Sequence, residues 1–591
     1  VKELWRTSRE LMPLLPKGAQ RYLITYATIT AALALLDVVA LAILALVMGP
    51  MVSGGQVSLP LVGDIGSEHY VYVLLFICFL IAAKSIAALV MRWIATRRFA
   101  RYEMEIGDQL FRAYLHSPWT DRLSRNSADL VRLADVGIAN TTSGLLLPLA
   151  SLPTEIATFT AVILVLSISQ PAIAVVTIVY LGGLAALLYL VVNPRALVAG
   201  RVNRDYSFKV ARLMTEMVAT LKEIVLRNKT NEVAEVVAAN RVHAVRARSN
   251  SQFLNQAPKY VLEVALVGGF LLVGGVGYLT GGATEAFSAV AMFSVAGLRM
   301  IPALTRVQGI LTQTASTLPH AKRVVWDVKA AEGHVRDAEE VGREKIIGEP
   351  TELVLTGVGF SYPRSETPAV HDIDLTVRMG THVALAGSSG AGKSTLVDLL
   401  LGLLVPQEGT MRIGEQDLAD VLADWRSRVG YVPQDVSLFN GTIAQNVALS
   451  WDSEIDEERV RDCLRRAQLL EIIDSRGGLQ TMAGERGFAF SGGQRQRLGI
   501  ARALYTDPLV LVMDEATSAL DTATEEAVTH ALRELHGDVT VVTVAHRLST
   551  IRHADQVCFM SGGTIAARGT FDEVVAAHPE FAHQANLAGL A

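Results

Sequence analysis

Apolar residues form long unbroken runs in the first half of the chain and short ones in the second. Six long runs, at 23–48, 71–95, 143–167, 171–192, 259–280 and 284–304, approach or exceed the roughly 20 residues a helix needs to cross a bilayer core. Gln170-Pro171 divides the third run from the fourth, and Thr280-Gly281-Gly282 divides the fifth from the sixth. Both read as tight turns at a membrane face. Arg299 and Pro302 mark the end of the last run. So many runs in the first 304 residues argue against a buried soluble helical core.

The segments 96–142 and 193–258 are polar but patterned. In the second, Val210, Leu213, Met214, Met217, Leu221, Ile224 and Val225 recur at helical spacing. This predicts that the membrane helices continue beyond the bilayer as long hairpins, with tips near 117–126 and 226–234, where Pro, Asn, Ser and Thr collect. A structureless connection of that length is disfavoured. Residues 321–350 are charged and read as a linker. From 351 onward short β-branched runs (ELVLTGVGF, THVALAG, LVLVMDEA, VTVVTVAH, QVCFMSG) alternate with amphipathic segments, predicting a largely parallel sheet layered with helices. The expected class is a multi-domain membrane protein: an all-α six-helix transmembrane domain over 1–320, the linker, then an α/β domain over 351–591.

Composition supports this division. Of 591 residues, 51% are hydrophobic and 19% charged, against about 25% charged in soluble proteins. A net charge of -5 gives no bulk basicity for nucleic acid, and the apolar content excludes a disordered chain. Cys78, Cys463 and Cys558 are too scattered for a disulfide framework or a zinc site. Residues 1–22 show no short apolar core or small-residue cleavage site, so no secretory signal is expected. Lys and Arg are absent from 49–70, 168–170 and 281–283 but frequent in 96–142 and 193–258. Retention of positive charge on the cytoplasmic side then puts both termini and the α/β domain inside, at a plasma or inner membrane.

The second half carries the chemistry. Gly387-Ser388-Ser389-Gly390-Ala391-Gly392-Lys393-Ser394 fits G-x-x-x-x-G-K-[ST], after a strand (VALAG) and before a helix beginning at Thr395. Glycines there let backbone N–H groups approach phosphate oxygens, a lysine reaches the β- and γ-phosphates, and a hydroxyl ligates Mg²⁺. The helix start adds its positive dipole end. Asp514-Glu515 follows the apolar run LVLVM. Asp514 is expected to hold Mg²⁺ and Glu515 to act as general base on the attacking water.

Phe490-Ser491-Gly492-Gly493-Gln494 resembles the signature motif of ATP-binding cassette (ABC) proteins, with Phe where Leu is usual. Tyr362 in FSYP, Gln434 in YVPQD, Ser518-Ala519-Leu520-Asp521 and His546 in VAHR match further motifs in order. The first half resembles the transmembrane half of ABC exporters. The resemblance implies an ATPase-coupled translocase with ATP and Mg²⁺ as cofactors. Tyr362 would stack on adenine. Gln434 would join the Mg²⁺ site and sense the γ-phosphate, which His546 would also contact. Ser491, Gly492, Gly493 and Gln494 would face ATP held by another subunit, and Asp521 would lie at the dimer seam. Glu485 and Arg486 would meet the partner's hairpin tips. One cassette per chain implies a pair of half-transporters, and intact motifs suit a homodimer.

The substrate is less legible. Asp37 and Lys84 lie at similar depths, roughly 16–18 Å from the outer face, and are expected to pair. Glu155, Glu263 and Arg299 are further ionisable residues within or beside spans, structural or substrate-facing. RNSADLVRL, LKEIVLRNKTNEV and LRMIPALTRVQGI resemble segments of flippases for lipid-linked oligosaccharides, although 49–70 is rich in Gly and Pro where those flippases carry an amphipathic stretch. Export of other lipids or hydrophobic drugs, and an ATP-gated membrane protein that is not a pump, are the alternatives.

Overall fold

The structure is a computed structural model and describes residues 2–53, 57–59, 63–65, 70–124, 127–339, 341–363, 365–451, 454–484, 487, 489–514, 530, 535–545 and 547–590. The chain forms two compact units. One comprises Val1–Ser117 with Ser124–Val335. The other comprises Arg336–Ala591 together with the short segment Pro118–Leu123.

The first unit is helical: α1 (Lys2–Leu11), α2 (Ala19–Ser53), α3 (Tyr70–Leu115), α4 (Leu147–Ser169), α5 (Pro171–Ala219) and α6 (Thr230–Glu339). α3 has 46 residues. At about 1.5 Å per residue it is more than twice as long as a bilayer core is thick, so the apolar run and the polar amphipathic run form one continuous rod. Breaks fall at His116–Pro118, at the start of the first predicted hairpin tip, and at Arg227–Lys229, within the second. Among the described residues four helices are long and apolar enough to cross a membrane, Val71–Leu115, Asp129–Ile168, Pro171–Ala219 and Thr230–Ala330. The last folds back at Gly281 and Gly282, the latter with φ of 75°. Its arms run antiparallel: a Cβ on Gly277 would lie 3.0 Å from Ala286, on Gly274 3.0 Å from Val290, and on Gly269 2.5 Å from the Phe293 ring. With α2, whose outer side chains are not described, this arrangement is compatible with six passes. Leu75, Phe79, Leu271 and Leu279 point outward, as suits helices solvated by lipid.

Two features were not anticipated. α4 is preceded by two π-helical turns, Leu133–Gly137 and Thr142–Leu146. The Thr141 and Thr142 hydroxyls bond back to the carbonyls of Gly137 and Ile138 at 2.8 and 3.2 Å, and Thr142 also donates to Glu103, competing with the regular ladder. The charged stretch from 321, read from composition as linker, is helical as far as Glu339. Beyond it, the extended segment from 341 is strapped down: Ala423 N donates to Gly342 O at 3.0 Å, Glu344 N to Asp420 O at 3.1 Å, and Ile346 N to Asp424 Oδ2 at 3.0 Å.

A short antiparallel pair, β1 (Val57–Leu59) and β2 (Gly63–Ile65), follows α2, and the second unit holds two sheets. One has the order β12 (Thr564–Gly569), β11 (Gln556–Ser561), β5 (His382–Gly387), β10 (Thr540–Val544), β9 (Val510–Asp514), β8 (Val429–Val432). It is parallel except for its edge strand β12. The other sheet is antiparallel, with order β4 (Val370–Arg378), β3 (Glu352–Phe360), β6 (Glu408–Ile413), β7 (Gln416–Asp417). This second sheet departs from the expectation of one largely parallel sheet. Residues 361–369 are too few for the crossover a parallel pair requires, so β3 and β4 pair as a hairpin. α7 (Lys393–Leu400) and α8 (Gly492–Leu504) supply buried residues to the cores around the parallel sheet.

Candidate active site

Strands β5, β10, β9 and β8 are neighbours and run in the same direction. Their carboxyl ends lead in that order into the glycine-rich loop, His546, Asp514 and Gln434. Three motifs far apart in sequence, the glycine-rich loop, Asp514 and Gln434, are thereby brought to one edge of one sheet, where open α/β folds bind ligands. His546 itself, Glu515, Ser518-Ala519-Leu520-Asp521, Glu485 and Arg486 lie outside the described residues.

The loop's glycines answer a local demand. Gly387 has φ of 149°, and a Cβ there would lie 2.3 Å from the carbonyl oxygen of Met560. Gly392, at the head of α7, has φ of 99° and would press on Ala369 O at 2.7 Å. Ser388, Ser389, Gly390 and Ser394 are exposed, whereas Ala391 and Thr395 are buried. The Lys393 ammonium donates to the carbonyl oxygens of Gly387 and Ser388, each at 2.8 Å. It is therefore folded onto the loop whose N–H groups would receive phosphate. Tyr362, beyond β3, stands edge-on to Phe360, and its hydroxyl lies 3.3 Å from Thr395 Oγ1. The antiparallel sheet thus brings the aromatic to the start of the loop helix.

The donors expected for Mg²⁺, Ser394, Asp514 and Gln434, are all oxygen ligands, the chemistry a hard divalent ion requires. Asp514 is bonded by Tyr431, one strand over on β8. Burial pushes the Tyr431 hydroxyl up to about 12, reinforced by Asp514 and Asp398. Asp398, on α7, is itself pushed up to about 6, chiefly by burial; the Trp119 indole opposes the shift and Asp514 adds to it. Sequence reasoning missed Asp398, Tyr431 and Trp119, because Trp119 and Asp398 are 279 positions apart and belong to no motif.

Ser491 caps α8: its hydroxyl accepts from Gln494 N at 3.3 Å, while its own N–H donates to Gln494 Oε1 at 3.1 Å. This is a reciprocal capping box. Ser491 and Gly492 are exposed and Gly493 is buried. Gln434 is exposed. The residue before it is held to α8, where Gln496 Nε2 donates to Pro433 O at 3.3 Å.

In the helical unit a cavity of about 450 Å³ is lined by Lys84, Arg92, Arg299, Arg306 and Glu155 among others. Arg306 Nε pairs with Glu155 Oε1 at 2.7 Å, and Thr154 donates to Thr30 at 2.7 Å. Glu263 faces Lys259 at 3.9 Å instead. The expected Asp37–Lys84 pair involves a side chain outside the described set.

Residues 370–518 match the family model described as ABC transporter. The ATP-dependent lipid A-core flippase of Salmonella typhimurium is 41% identical over 41% of this chain and 42% of its own length. A β-(1→2)glucan export ATP-binding/permease protein of Bradyrhizobium diazoefficiens is 40% identical over 50% of this chain and 48% of its own. The chain thus spans less than half the length of these curated relatives. A solved structure of a bacterial Atm1-family ABC exporter with ATP bound superposes with a TM-score of 0.76 at 22% identity, covering 96% of this chain and 99% of that one. Residues 370–518 thus match an ABC transporter cassette, and the chain shares the fold of that exporter structure along nearly its whole length.

Proposed function

We propose that the chain hydrolyses ATP as one of two identical half-transporters and uses it to flip or export an amphipathic substrate, a lipid-linked oligosaccharide or another lipid. The observation that carries this reading is the convergence of the phosphate loop, Asp514 and Gln434 on the carboxyl ends of neighbouring parallel strands. ATP supplies the phosphoanhydride bond. Lys393 and the loop N–H groups bind and orient the phosphates, and Tyr362 holds the base. Ser394, Asp514 and Gln434 would hold Mg²⁺, which would neutralise charge on the phosphate oxygens. Glu515 takes the proton of the attacking water, and His546 orients the terminal phosphate. Ser491, Gly492 and Gly493 face the nucleotide of the second copy, so that binding closes the pair and hydrolysis releases it. A ligand favouring one of two states biases the helical halves between inward- and outward-facing forms. Both termini lie in the cytoplasm.

Four cations and one carboxylate among the described lining residues suit an anionic head group beneath an apolar tail, as a phosphate-linked lipid presents. The test is ATPase activity of the full chain in nanodiscs, titrated with native glycolipids and phospholipids, with ATP-dependent translocation in sealed vesicles. Stimulation and translocation by an anionic glycolipid support the reading. Stimulation only by uncharged hydrophobic drugs replaces the substrate class, and passive ATP-gated current replaces the pump.

A further inference from the structure

Pro118–Leu123 belongs by sequence to the first inner hairpin and by packing to the cassette unit. Trp119 is its anchor. The ring packs against the cassette core, and its indole N–H donates to Asp398 Oδ2 at 3.2 Å. Asp398 lies four residues after Ser394 on α7, so the two share one helix face. Tyr431 bonds Asp514 and has Asp398 as a second charged neighbour. Asp398, one turn after Ser394 on the same helix, and Asp514, from a different element, are therefore electrostatic neighbours that share Tyr431, yet only Asp514 has a role in the reaction as described.

A carboxylate just outside a metal's direct ligands accepts hydrogen bonds from metal-bound water and deepens the negative field there, and losing such a group typically weakens metal binding by about 10- to 100-fold. An indole donor fixes where that carboxylate points. Resting on the nucleotide-site reading above, we propose that Asp398 is a positioning residue for the divalent ion held by Ser394 and Asp514. Trp119 orients it, so that the hairpin tip reaches the metal site through one side-chain hydrogen bond. Placement of the tip then sets metal affinity, and metal binding favours the docked tip.

The experiment counts Mn²⁺ bound to the full-length protein in the presence of the non-hydrolysable analogue AMP-PNP, by the electron paramagnetic resonance of free Mn²⁺. Asp398→Asn is expected to weaken Mn²⁺ by about tenfold, and Trp119→Phe, which keeps the ring but loses the donor, by about fivefold. Metal-free AMP-PNP binding in EDTA should stay within about twofold for both. The double variant should bind Mn²⁺ no more weakly than Asp398→Asn alone. Parent-like Mn²⁺ affinity in Asp398→Asn overturns the proposal, and so does full additivity in the double variant. If Asp398→Asn does not fold, Trp119→Phe decides alone, with parent-like affinity the overturning result. A parent protein that binds neither AMP-PNP nor Mn²⁺ removes the nucleotide-site reading itself.

Discussion

Arg502 clasps Asn446: its Nε donates to the Asn446 carbonyl oxygen at 2.8 Å and its Nη2 to the Asn446 side-chain oxygen at 3.2 Å. A further bond reaches Ser437 O at 3.0 Å. Asn446 is buried and in turn donates to the carbonyls of Phe439 and Thr442. The segment following Gln434 is therefore tied to the helix that Ser491 caps. Lysine keeps the charge but lacks the planar fork. Arg502→Lys should cost about 2 kcal/mol, the scale of a charged hydrogen bond lost to buried acceptors. Denaturant unfolding of the solubilised chain checks this, and an unchanged midpoint would dismiss the clasp.

Two glycines of the phosphate loop should respond differently to alanine. At Gly387 the new Cβ would meet Met560 O at 2.3 Å, whereas at Gly390 nothing lies within 4 Å although φ is 81°. Gly390→Ala should cost about 1–2 kcal/mol of backbone strain. Gly387→Ala must displace backbone and should weaken ATP binding by well over about tenfold. Equilibrium binding of a fluorescent ATP analogue separates them; equal affinities would mean that the loop is looser than its geometry.

Lys393→Ala removes the one loop side chain that can follow the phosphates, and nucleotide affinity should fall. Unchanged affinity would undercut the phosphate cradle.

Glu515→Gln should leave ATP binding intact, abolish turnover and hold the pair closed, because the amide cannot accept the proton of water. Phosphate release and crosslinking across the pair would read these two effects. Near-normal turnover would move the base role elsewhere.

His382 gives the cassette an acid sensitivity. Burial lowers its pKa below the ordinary value of 6.5, outweighing the pull of Asp555, and its Nε2 lies 2.8 Å from Thr543 Oγ1. The unfolded chain takes up a proton below about pH 6.5 while the folded chain resists. Stability from this group is therefore full above that pH and falls as pH drops towards the folded pKa. His382→Gln should flatten the fall in melting temperature between about pH 7 and pH 5. A parental slope in the variant would assign the sensitivity to other groups.

Local pattern alone identified the apolar runs, the reversals at Gln170 and Gly281-Gly282, the strands at 382–387, 510–514, 540–544 and 556–561, and the phosphate loop. Each depends on periodicity or on backbone demands within a few residues. The ordered motifs pointed to the cassette, but their convergence depends on the strand order β5-β10-β9-β8, which hydrophobic alternation cannot specify. The separate antiparallel sheet was hidden because β3 reads like any other β-branched run until its partner is known. Composition likewise misread 321–339, since an amphipathic charged helix and a charged linker share residue content.

Chain order and residue type by themselves determined that this protein has a helical half apolar enough for a bilayer and an α/β half that carries a phosphate-loop motif, because apolar runs and glycine-rich loops leave short-range signatures. Tertiary structure alone decided which distant side chains meet: Trp119 with Asp398, Arg502 with Asn446, and Glu155 with Arg306 inside a cationic cavity. Such pairs arise from packing between elements far apart in sequence, and their energy exists only once the elements are in place.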